Sequence, residues 1–226
     1  MSTVRMYPGG NRDEAADFAP YSAFEIPHDL RQLHGDYGVD AMARRVRNFR
    51  YAEEWMMMIL GGWIATIPEV PVKTGLGKIV WECAQSADKL GNRLPELRCG
   101  RHVPDASLPA NDGFAALLQK IAEPETPDLT IEKLTGVFDV LKPHMLAVYK
   151  YTRQETDQIC DAPTVELLDD IVRWTEKHIS WSAEVLDRLC DTDAKRERRR
   201  ARASEIEALL RECGGVTGTP ADAAAA

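Results

Sequence analysis

Apolar residues recur at alternating steps of three and four along four long stretches of the chain, a period that predicts helices. In residues 39–60, Met42, Val46, Phe49, Met56 and Leu60 share one face, and Glu53 falls on the same stripe. No Gly or Pro interrupts this stretch, and Asp40 is placed to cap it. Residues 72–97 align Leu76, Ile79, Cys83, Ser86 and Leu90, with Glu82 one step beside them. A third helix is predicted from Thr130, as its cap, to about residue 157, with a kink at Pro143. Its stripe is Leu134, Phe138, Leu141, Met145, Val148, Thr152 and Glu155, with His144 adjoining. A fourth opens at Asp161-Ala162-Pro163, runs to about residue 190, and aligns Leu168, Ile171, Thr175, His178, Ser182, Val185 and Leu189. A short amphipathic piece at 114–122 and a fifth helical stretch at 194–212 complete the pattern. No stretch alternates as a strand, so the class is all-α.

The connections carry the topology. About ten residues join helices one and two, and about five join helices three and four, lengths that suit antiparallel hairpins. About thirty join helices two and three, enough to run back along a helix roughly 39 Å long. Glu53, Glu82, His144 and His178 fall near the midpoints of their helices, so the hairpins would bring them to one level. A carboxylate on an apolar stripe is costly unless a cation or hydrogen bonds compensate it. Arg45, Arg50 and Lys78 are the nearby cations in sequence.

The strings RYAEEWMMMILGGW, IVWECAQSADKLGNRLPELR and DAPTVELLDDIVRWTEKHISW resemble helices one, two and four of the ferritin-like superfamily. The resemblance covers residues 39–190. It implies a four-helix bundle with a long crossover between helices two and three. Around that bundle lie an irregular N-terminal arm (1–38), an additional C-terminal helix (191–213) and a tail expected to be disordered (214–226). Members with a di-metal site draw one Glu from each of two helices and a Glu-x-x-His from each of the other two. Carried over, Glu53 matches the helix-one Glu and Glu82 the first Glu-x-x-His carboxylate, with Gln85 in the His position. His178 matches the second His, with Thr175 where its Glu would stand, and helix three offers His144 in place of a Glu.

The resemblance therefore implies a partial ligand set of Glu53, Glu82 and His178, with His144 as a further candidate. Two carboxylates and one imidazole suit a single Fe(II), Mn or Zn ion. The implied activity is that of a non-haem iron (or manganese) oxidoreductase or oxygenase acting on a small molecule, as in specialised metabolism, with His178 and Glu82 available for acid–base work. The alternative rests on the loss of both intact Glu-x-x-His motifs. It is a metal-free ferritin-like protein without a cofactor, acting as a small-molecule-binding or protein-interaction module.

Composition narrows the partners. Lys and Arg number 28 against 36 Asp and Glu, for a net charge of -8, which disfavours nucleic acid as a partner. The basic run KRERRRAR, interleaved with Glu, reads as a solvated helix face, as does Glu54. The apolar run 55–67 is broken by Gly61 and Gly62 and is too short to cross a bilayer, so no membrane partner is expected. The first residues show no apolar signal core, and Cys83, Cys99, Cys160, Cys190 and Cys213 show no zinc spacing. A cytoplasmic protein with reduced thiols is the expectation. A homodimer is compatible with the helix patterning.

Overall fold

The computed structural model describes residues 37–100 and 106–218. Helix α1, Val39–Thr66, outruns its predicted end because Gly61 and Gly62 continue the helix. Only residues 67–69 separate it from α2, Val70–Arg93, so the turn is shorter than the ten residues expected. Pro71 sits at the start of α2, where its missing N–H costs no helical bond. A 3₁₀ turn, Leu94–Leu97, follows. Helix α3, Asp112–Ala122, is capped by Asn111, whose side chain accepts from the Phe114 N–H at 2.8 Å.

Residues 130–155 form one rod of three segments: α4 (Thr130–Leu134), a π-helical stretch (Thr135–Leu141) and α5 (Lys142–Glu155). Thr130 does not cap this rod. Its hydroxyl donates to Glu69 and to the Pro127 carbonyl. Pro143 does not break the helix either, which runs on through it to Glu155. Proline has no N–H for the residue-139 carbonyl and its ring crowds that carbonyl, and the chain accommodates both by widening one turn. The Lys142 N–H accordingly bonds five residues back, to the Val137 carbonyl. Helix α6, Ala162–Leu189, and helix α7, Asp193–Cys213, complete the fold. Thr192 caps α7 through the Lys195 N–H. The described residues contain no strand.

Side-chain pairs fix the directions. Along α1 and the 130–155 rod, Arg45 meets Thr152, Phe49 meets Tyr149, and Thr66 meets Lys133, so the two are antiparallel. Along α2 and α6, Arg93 meets Thr164, Lys89 meets Asp170, and Glu82 meets His178, again antiparallel. Lys150–Glu176 and Arg153–Asp169 give the same relation between α5 and α6. Helices α1 and α6 therefore run one way, and α2 and the rod run the other.

The core between these helices is built from the stripes read in the sequence. Met42, Val46, Phe49, Met56 and Leu60 meet Leu76, Ile79, Cys83 and Leu90, all buried. At one end Lys133, fully buried, donates to Thr66 Oγ1 (2.8 Å) and to the carbonyls of Glu125 (2.9 Å) and Thr126 (3.0 Å). It ties the segment before the rod to the end of α1, and burial lowers its pKa.

Helix α7 packs on α3 and on the π-helical stretch. The basic run at its start is not a wholly solvated face. Arg199 chelates Asp139, Arg198 chelates Glu132, and the buried Arg202 donates to the Lys120 carbonyl. Three of the run's arginines dock the helix, while Lys195, Arg196 and Arg200 pair with acids of their own neighbourhood. The expected tail begins as structure: Gly215–Thr217 is a 3₁₀ turn with Val216 buried. Almost all of the N-terminal arm and residues 219–226 of the tail lie outside the described residues. No helix among the described residues is long and apolar enough to cross a membrane.

Candidate functional site

Halfway along α1, Glu53 points into the core with 1 % of its surface exposed. Its compensating cation is Lys142, the first residue of α5 and equally buried. The Lys142 ammonium lies 3.4 Å and 3.3 Å from the two Glu53 oxygens. The Tyr149 hydroxyl, two helical turns along α5, donates to Glu53 Oε1 at 2.8 Å. The third direction of the ammonium is filled by Cys83 Sγ on α2, at 3.4 Å. One carboxylate thus holds three helices together through a lysine, a tyrosine and, beyond the lysine, a cysteine.

Burial alone would depress the Lys142 pKa, yet Cys83, whose sulfur accepts from the ammonium, and the Glu53 carboxylate beside it outweigh burial and hold it above the ordinary lysine value. Burial pushes the Cys83 thiol up to about 12, so at neutral pH the thiol is protonated and does not supply the charge that balances the ammonium. Burial and the neighbouring carboxylate also raise Tyr149 well above its usual value, so it remains a donor.

A second pair joins α2 to α6. His178 Nε2 lies 2.6 Å from Glu82 Oε2, and both side chains are buried. The Glu82 carboxylate accepts, so Nε2 carries the proton. His178 Nδ1 is buried and has no partner among the described residues. A proton there would be a buried donor without an acceptor. Burial, with Lys142, Lys78 and Lys177 around it, accordingly lowers the His178 pKa to about 2. The adjacent carboxylate would ordinarily favour an imidazolium, but burial and the surrounding ammonium groups prevail. Lys78 stands 3.9 Å from the other Glu82 oxygen and is largely exposed, so it adds little.

Of the four residues singled out in the sequence, the fold brings Glu82 and His178 into contact. Glu53 sits instead in the separate Lys142–Tyr149 cluster, and Arg45 and Arg50 turn elsewhere, to Thr152 and Glu54. His144 belongs to neither group. It faces the C-terminal turn, where its Nε2 accepts from the Val216 N–H at 3.0 Å, and burial lowers its pKa. His144 lies close in depth to Lys142 but on another face of the rod, turned away from Glu53 toward the C-terminal turn. Glu54 is half-buried and accepts from Arg50 and Ser107 rather than facing water.

The fit of a metal is decided by these partners. Among the described residues, no group of three or more His, Cys, Asp and Glu side chains is arranged to hold an ion. The Glu53 oxygens face an ammonium and a phenol, and a cation between Glu53 and Cys83 would have to displace Lys142. The donor set does not fit a resident iron or manganese.

Lys142 and Tyr149 went unread in the sequence, although the signal was there. Lys142 lies four residues after Phe138 and three before Met145, and Tyr149 lies four after Met145, all at core spacing. No family model, curated protein or solved structure matches the chain.

Proposed function

We propose that the chain is a ferritin-like four-helix bundle in which a lysine ammonium stands where a metal cation would, and that it works as a metal-free binding or interaction module. The helix directions, with a long connection between the second helix and the rod, support the ferritin-like reading. The single observation that carries the functional reading is Lys142, buried against Glu53 and Cys83. A half-neutralised carboxylate would be poorly tolerated in this core, and the lysine satisfies it without an ion.

Thermal unfolding tests the reading. Added iron, manganese or zinc and added chelator are expected to leave the midpoint unchanged. A ligand that binds only the folded chain raises its stability, so a metal-dependent rise that disappears in Glu53→Ala would reverse the proposal.

One observation favours a second reading, proton transfer by the Glu82–His178 pair. His178 Nδ1 is a buried lone pair with no partner among the described residues, able to accept a proton from a substrate that enters the core. That reading requires an opening between α2 and α6, and it predicts that small imidazole-reactive reagents label His178 in the folded protein.

A further inference from the structure

Resting on the reading as an interaction module, we infer that the groove between α3 and α7 is the docking surface, and that its partner is a basic amphipathic helix of another protein. The groove is about 930 Å³ and lies away from the buried ionic pairs. Gly113, Ala116, Leu117 and Lys120 line it from α3, a spacing of three, four and seven that places them on one helix face. Glu205, Ala208, Leu209, Glu212 and Cys213 line it from α7 at the same spacing. Gly113 packs against Cys213 and Lys120 pairs with Glu205, so the two stripes run antiparallel and their ends coincide.

The floor is apolar at Leu117, Leu209 and Cys213, and the small Gly113, Ala116 and Ala208 leave room for a third helix to lie close. This is the geometry in which a partner helix buries its apolar face between two others. Charge selects the partner's sign. Glu123, Glu205 and Glu212 line the groove against two cations: Lys120 engages Glu123 at 2.6 Å and Glu205 at 3.2 Å, and Arg202 engages Glu205 at 2.7 Å, which leaves a surplus of one negative charge, at Glu212. A helix that sets a Lys or Arg against Glu212 and its apolar residues over Leu117 and Leu209 matches the groove.

The test uses the full chain and a labelled fourteen-residue Leu/Lys amphipathic helix, with a Leu/Glu peptide of the same pattern as control. Fluorescence anisotropy reads binding at low and at physiological salt, and metal content is measured on the same preparation. The Leu/Lys peptide is expected to bind more weakly as salt rises, and the Leu/Glu peptide not to bind. The Glu123→Gln/Glu212→Gln variant is expected to lose about tenfold in affinity. Ala208→Arg, which fills the floor with bulk and positive charge, is expected to abolish binding. A Glu166→Gln/Glu184→Gln variant on α6, away from the groove, is expected to bind as the parent does.

Equal binding of both peptides, or binding insensitive to the groove variants, overturns the inference. So does a gain above tenfold on removal of residues 219–226, which would make the chain's own end the occupant. Self-association abolished by Ala208→Arg would assign the groove to a second copy and overturn it too. Stoichiometric metal with groove-dependent binding would instead sink the metal-free reading and leave the docking surface standing.

Discussion

Replacing Lys142 by Met keeps the length and apolar stem of the side chain and deletes its charge. Glu53 would then remain in a core that exposes 1 % of it, with only the Tyr149 hydroxyl as partner. Removing one member of a buried ion pair costs about 3–5 kcal/mol, because the remaining charge loses its compensation. For a chain of this size each kcal/mol lowers the unfolding midpoint by about 2–4 °C, so Lys142→Met should unfold roughly 6–20 °C earlier. The double variant Glu53→Gln/Lys142→Met removes both charges and keeps an acceptor for Tyr149. It should recover at least about 2 kcal/mol of the loss. Urea denaturation followed by circular dichroism, on the two single variants and the double, closes the cycle. A Lys142→Met cost below about 1 kcal/mol, or a double variant as unstable as Lys142→Met, would refute the reasoning, because Glu53 would then not need the ammonium.

The same geometry gives three further outcomes. His178 is held neutral in the fold while the unfolded chain titrates near 6.5, so the unfolded state binds more protons below that pH and stability falls as pH falls. Between neutral pH and pH 5 this amounts to about 2 kcal/mol, read as a drop in urea midpoint that His178→Gln removes. Gly75→Ala would place a Cβ closer than 3.0 Å to the Trp181 ring and part α2 from α6, at a cost of about 1–3 kcal/mol. Gly77→Ala, two residues on and facing open space, should be neutral or slightly stabilising in the same melts. Gly215→Ala combines a φ of 64° with a Cβ driven into the His144 ring, so it should release the C-terminal turn. Faster hydrogen exchange at the Val216 amide, with the core amides unchanged, is the expected signature, and unaltered Val216 protection would contradict it.

The helix stripes were legible because burial on one face leaves a periodic mark. Every position assigned to the inner faces of the first two helices is buried, and on α6 Leu168, Ile171, Thr175, His178 and Ser182 are buried as read. On the rod the stripe was incomplete: Leu141, Met145 and Thr152 are buried as read, Val148 is only partly buried, and Lys142 and Tyr149, at core spacing from Phe138 and Met145, face the core beside them. A metal-site ligand pattern consists of carboxylates and histidines, and the lysine that neutralises Glu53 is not part of it. The arginines of α7 were misread for a different reason. Their acceptors, Asp139 and Glu132, lie about sixty residues away, and no local pattern pairs them.

The cation at Glu53 is Lys142. Elemental analysis of the full chain, purified after expression with added iron, manganese and zinc, tests it most directly. The account predicts far less than one ion of any of these metals per chain, unchanged in Glu53→Ala and His178→Ala. One ion per chain, lost on either substitution, would contradict it.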